Sequence, residues 1–236
     1  MAISAKGKKR RLILVGIFVS CGIAIFAWEK YKMGCAIECA ETYLSEKYEQ
    51  KMELLTIARN RATDWSYSLL FAPSDNEDLK FFVHLASDLK PKIREDGILA
   101  YPEDGYLATR FSYNAKQELL EMMPHEIKTM GDLSVSSGGS IYGISALRED
   151  MSQQEMSELL TYDLWVSIHS TLSEETKLSL AENIVELLQV VLNSAYHPNT
   201  VYLCFDGNTI SDKKIVILHD WEQYDSTAKL LKKFGA

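Results

Sequence analysis

Four cysteines in 236 residues are too few and too scattered for a disulfide framework. Cys21 lies in an uncharged run and Cys204 in a strand-like stretch, while Cys35 and Cys39 fall four apart on a predicted helix. A bridge between those two is disfavoured, because that spacing on a regular helix is too long. They also lack the histidines or second cysteine pair that a zinc site needs. Both read as small apolar helix residues.

Basic charge is scarce. The chain carries 25 Lys+Arg against 33 Asp+Glu, a net charge of −8. Five of the basic residues are Lys6, Lys8, Lys9, Arg10 and Arg11, so residues 12–236 hold 20 basic against 33 acidic groups, or −13. That balance leaves no footprint for nucleic acid and no broad face for anionic lipid. Cationic partners, including peptides and metal ions, remain compatible with it.

Catalytic signatures are missing as well. The five histidines (His84, His125, His169, His197 and His219) show no H-x-x-x-H or H-E-x-x-H spacing. No G-x-S-x-G or Cys–His pattern occurs. His219-Asp220 is an adjacent His–acid pair with no nucleophile beside it in sequence. "GDLSVSSGGSIYG" (131–143) contains Gly138-Gly139 without the Lys-Ser/Thr of a phosphate loop, and reads as a loop or boundary. Asp75-Asn76-Glu77-Asp78 and Asp206-Gly207-Asn208 lack calcium-loop spacing and read as turns. No catalytic residue, metal ligand or cofactor site is assigned on these grounds.

What the chain does have is one uncharged run. Leu12 to Trp28 gives 17 residues without charge behind the basic flank. As a helix it would be about 25 Å long, slightly short of a ~30 Å hydrocarbon core. The apolar positions are Leu12, Ile13, Leu14, Val15, Ile17, Phe18, Val19, Ile23, Ile25, Phe26 and Trp28, with Trp28 and Tyr31 suited to an interface. Gly22-Ile23-Ala24 is the nearest cleavage-like site and Phe18-Val19-Ser20-Cys21 the nearest lipid-attachment site. The run continues past both, which favours an uncleaved single span over cleavage or lipidation at Cys21. The basic residues 6–11 would hold the N-terminus in the cytoplasm and the remainder outside. The expectation is a cytoplasmic tail (1–11), a transmembrane helix (12–28) and two folded units (33–130 and 144–236).

The periodicity beyond residue 33 alternates between helix and strand. A helix is predicted from Met33 to about Ile57, with Ile37, Ala40, Leu44, Tyr48, Met52 and Leu55 in stride. Trp65–Phe71 and Leu79–Leu85 read as a hairpin across the Pro73–Asp78 turn. Tyr106–Met123 is helical and stops at Pro124. A short helix at Met151–Leu159 and a strand at Tyr162–His169 follow. Thr171-Leu-Ser-Glu174 has capping-box form before a helix reaching about Tyr196. Strands at Val201–Phe205 and Ile215–Leu218 and a helix at Asp225–Phe234 close the chain. The fold class expected is α+β: a transmembrane helix, then helices packed on antiparallel sheets, as two similar helix–hairpin–helix units.

Three segments carry a likeness: "KKRRLILVGIFV", "AETYLSEKYEQKMELLTI" and "YSLLFAPSDNEDLKFFV". In order and composition, residues 6–85 resemble singly anchored extracytoplasmic proteins of Gram-positive bacteria that carry cystatin-like or PepSY-like units. The resemblance implies a location and a helix wrapped by an antiparallel sheet, and it brings no catalytic residues. The function expected is a non-enzymatic binding or interaction module at the cell membrane. It would contact membrane lipid through one span, and an envelope protein or peptide through a sheet edge or helix groove. The alternatives are an envelope hydrolase with a nonlocal active site and a structural subunit of a membrane complex.

Overall fold

A computed structural model describes the backbone of residues 5–59, 65–93, 99–137, 146–206 and 214–235. Within those ranges the side chains of 5–18, 59, 65–66, 92–93, 99–101 and 137 lie outside the description. The chain divides into two compact units, one of Met1–Asn76 with Phe82–Glu103, the other of Glu77–Phe81 with Asp104–Ala236. The architecture is α+β, with two four-stranded sheets and six α-helices among the described residues.

The first unit opens with α1 (Ala5–Lys47), followed by β1 (Met52–Arg59), β2 (Trp65–Pro73) and β3 (Phe81–Ala86). The short strands β4 (Lys92–Ile93) and β5 (Leu99–Tyr101) pair with each other, and β6 is Glu103–Asp104. The sheet order is β1-β2-β3-β6. In β2 and β3 alternate residues are buried, among them Tyr67, Leu69, Phe71, Val83 and Leu85. α1 packs against β1 and β2. Ala36, Ala40 and Leu44 of α1 are buried four apart in a column, which Tyr48 continues just past the helix end.

Three expectations are corrected here. First, the expected transmembrane helix at 12–28 is corrected by the finding that, among the described residues, no helix is long and apolar enough to cross a membrane. Second, α1 ends at Lys47 and Met52–Arg59 is a strand, not a helix end. "MELLTIAR" satisfies a period of two as well as it satisfies three-and-four steps, and pairing with β2 decides it: Leu54 lies opposite Phe71, Thr56 opposite Leu70 and Ile57 opposite Leu69. Third, the two halves are not similar units on antiparallel sheets, as the second sheet shows.

That second unit contains α2 (Tyr106–Met122), α3 (His125–Met130), β7 (Gly131–Ser137), α4 (Gln153–Leu159), β8 (Tyr162–Ile168), α5 (Lys177–Leu192), β9 (Thr200–Phe205), β10 (Lys214–Leu218), a 3-10 turn at Trp221–Gln223 and α6 (Thr227–Lys233). Its sheet order is β10-β9-β8-β7. β7–β8 and β9–β10 are antiparallel, whereas β8 and β9 run parallel. A parallel pair needs a long crossover, and α5 supplies it. Leu180, Ile184, Leu187, Leu188 and Val191 of α5 are buried, as are Leu164, Val166 and Ile168 of β8 and Val201, Leu203 and Phe205 of β9. α5 starts at Lys177, later than the Thr171–Glu174 pattern implies, because Thr176 Oγ1 donates to Thr171 O at 2.7 Å and closes a turn first. The capping box is instead at α4, where Ser152 and Glu155 satisfy each other's backbone N–H.

Candidate functional site

In the first unit a groove of about 590 Å³ runs along α1. One wall is the flank of α1 beside its buried column: Cys35, Glu38, Cys39, Thr42, Tyr43 and Glu46. These positions recur at three- and four-residue steps, which puts them on one side of a helix. The other wall is the end of β3 and the chain that follows: Leu85, Ala86, Leu89, Lys90, Pro91 and Pro102. Ala36 and Ala40 are fully buried and small, so α1 sits close to the sheet where the groove begins.

The second wall is shaped by a turn. Leu89 N–H donates to Ala86 O at 3.0 Å, and Leu89 adopts φ 57°. It is the only non-glycine residue with positive φ among the described residues. A left-handed leucine costs on the order of 1–2 kcal/mol, and such strain collects where a site is shaped. The turn presents the Leu89 carbonyl to α1, where the Cys39 thiol donates to it at 3.9 Å. Burial raises the Cys39 pKa, so it stays a protonated thiol rather than a thiolate nucleophile. The Thr42 hydroxyl donates to its own helix, to Glu38 O at 2.8 Å. Tyr43 Oη accepts from Lys47 Nζ at 2.9 Å. The groove is therefore apolar inside, with carboxylates at Glu38 and Glu46 and the Lys90 ammonium at its rim. All four cysteines are free.

Two other clusters bear on chemistry. Ser68 Oγ and His84 Nδ1 lie 3.0 Å apart across β2 and β3, and burial lowers the His84 pKa to about 4. In the second unit the His169 ring lies between Asp132 Oδ2 (3.2 Å from Nε2) and Asp206 Oδ2 (3.3 Å from Nδ1). Those carboxylates engage opposite ring nitrogens, so the three groups do not converge on one point. Among the described residues no group of three or more His, Cys, Asp or Glu could hold a metal ion. His219 and Asp220 line a smaller pocket of about 350 Å³ with Trp221, whose Nε1 donates to Pro198 O at 2.6 Å.

Of the residues singled out in the basic flank and the uncharged run, Lys6, Lys8, Lys9, Arg10 and Arg11, and Leu12, Ile13, Leu14, Val15, Ile17 and Phe18, have side chains outside the described residues. Val19, Ile23, Ile25, Phe26 and Trp28 are exposed on α1. The Trp28 and Tyr31 rings lie 5.9 Å apart, and Lys32 Nζ sits 5.5 Å above the Trp28 ring. None of these lines the groove. The helical spacing of Cys35 and Cys39 is visible in the sequence, but the wall from Leu85 to Pro91 meets them only through the fold.

No family model and no curated protein matches the sequence. Among solved structures, a DUF5037 family protein from Ruminococcus gnavus is similar at 15% identity and a TM-score of 0.41, covering 72% of this chain and 73% of that one.

Proposed function

We propose that the protein is a non-enzymatic binding module whose first unit takes an apolar peptide segment into the groove between α1 and the end of β3. The observation that carries this reading is the groove itself: about 590 Å³ of largely apolar space between two different elements. Ligand sites have this size and character, with a few polar groups for orientation. The apolar floor suits side chains, while Glu38, Glu46 and Lys90 on the rim suit the polar main chain and termini of a peptide. The Leu89 turn supports the same reading, since the surrounding structure holds a residue in a costly left-handed conformation at the second wall.

Nile red, an apolar dye, tests the groove whatever the identity of the partner. The full chain is expected to bind it saturably, at one site, with a rise in fluorescence. Thr42 is exposed on α1 and lines the groove, so Thr42→Trp fills the space without touching the buried column. That variant should keep its circular dichroism spectrum and lose at least ~80% of the signal, as filling a preformed pocket implies. An unchanged signal in the folded variant would defeat the proposal.

A further inference from the structure

The outer edge of the second sheet has its own chemistry. β10 ends the strand order, and among the described residues no strand pairs with its free side. Val216 and Leu218 point to the core, while Ile215 and Ile217 are 55% and 37% exposed on the opposite face. The patch continues inward. Ile217 is in register with Tyr202, and Tyr202 with Trp165, whose ring stacks on the tyrosine at 4.1 Å and 6°. Ile215 is in register with Cys204. Sheets that end in exposed apolar edges recruit another strand unless charge or covering prevents it.

The five residues of β10 are self-complementary. In an antiparallel pairing about a two-fold axis through Val216, Ile215 of one copy faces Ile217 of the other, and the reverse pair forms with it. The apolar rows then join into one stripe from Trp165 through Tyr202 and Ile217 into the second copy. Charge fits the same orientation. Lys214 stands at the start of the strand, its Nζ also donating to Phe234 O at 3.2 Å, and Asp220 lies two residues beyond the strand's end, so in this register the Lys214 of each copy lies opposite Leu218 and diagonal to Asp220 of the other. A parallel pairing would set like charges side by side. A closed two-fold contact of this kind makes a dimer rather than a fibre.

We infer that β10 is a self-association edge, and that a second copy of this chain pairs with it antiparallel to extend the four-stranded sheet to eight. Sedimentation equilibrium of the full chain tests this between ~1 and ~200 µM, a range suited to a small interface. The wild type should show a reversible monomer–dimer equilibrium. The double variant Ile215→Lys, Ile217→Lys, which places charges on the edge, should weaken it by at least ~10-fold. Hydrogen exchange on the wild type gives a second measurement that needs no variant: amides within Lys214–Leu218 should gain protection as concentration rises. A wild type that is monomeric throughout overturns the inference. So does a dimer that persists in the lysine variant, or a dimer whose formation leaves the β10 amides unchanged.

Discussion

His84 is held against Ser68 with its imidazole neutral, because burial lowers its pKa from 6.5 to about 4. A base that weak has little affinity for a serine proton at neutral pH, so the pair fits a cross-strand structural contact better than a nucleophile and its base. The same shift links the residue to stability. Between pH 6.5 and 4 the unfolded chain takes up a proton at this position while the folded chain does not. The stabilisation is therefore complete above about pH 6.5 and falls as pH decreases toward about 4. Discounted for partial exposure, the loss is on the order of 1–2 kcal/mol. Urea unfolding at pH 7 and pH 4.5 should show it as an excess acid sensitivity of the wild type over His84→Gln. Parallel pH profiles for the two proteins would contradict it.

At the scale of elements, strand β7 shows most clearly what the sequence conceals. Its residues, "GDLSVSS", are rich in Ser and Gly and read as a loop, yet Leu133 and Val135 alternate with serines and pair with Val166 and Leu164 of β8. The strand depends on Gly131. A Cβ there would lie 1.8 Å from the Ser167 carbonyl oxygen, a main-chain atom with little freedom to move. Gly131→Ala should cost about 1–3 kcal/mol or more, measured by chemical denaturation. A change within ~0.5 kcal/mol, the size of an ordinary surface substitution, would show that β7 is not packed against β8 as described. Where one period dominates, the elements are legible: the strands at 65–73, 162–168 and 200–205 and the helix at 106–122 each have an unambiguous apolar pattern. The β1 segment is ambiguous in sequence because two periods fit it. The parallel β8–β9 pair is not legible, since strand direction is set by the α5 crossover and leaves no mark on either strand's own pattern.

For the molecule as a whole, only one side of the candidate site is legible in the sequence. Cys35, Cys39, Thr42, Tyr43 and Glu46 share a helix face by spacing alone. Leu85, Leu89 and Pro91 come to them only after β3 has paired and the chain has turned through the left-handed Leu89. On the proposed function, this groove rather than exposed apolar surface elsewhere takes the ligand. Photolabelling the full chain with an apolar diazirine, followed by mass spectrometric mapping, tests it most directly. Label should concentrate on peptides covering residues 35–46 and 85–91, and excess Nile red should compete it away. Label spread over Val19–Trp28 and Ile215–Ile217 in proportion to their exposure, and unaffected by Nile red, would contradict the account.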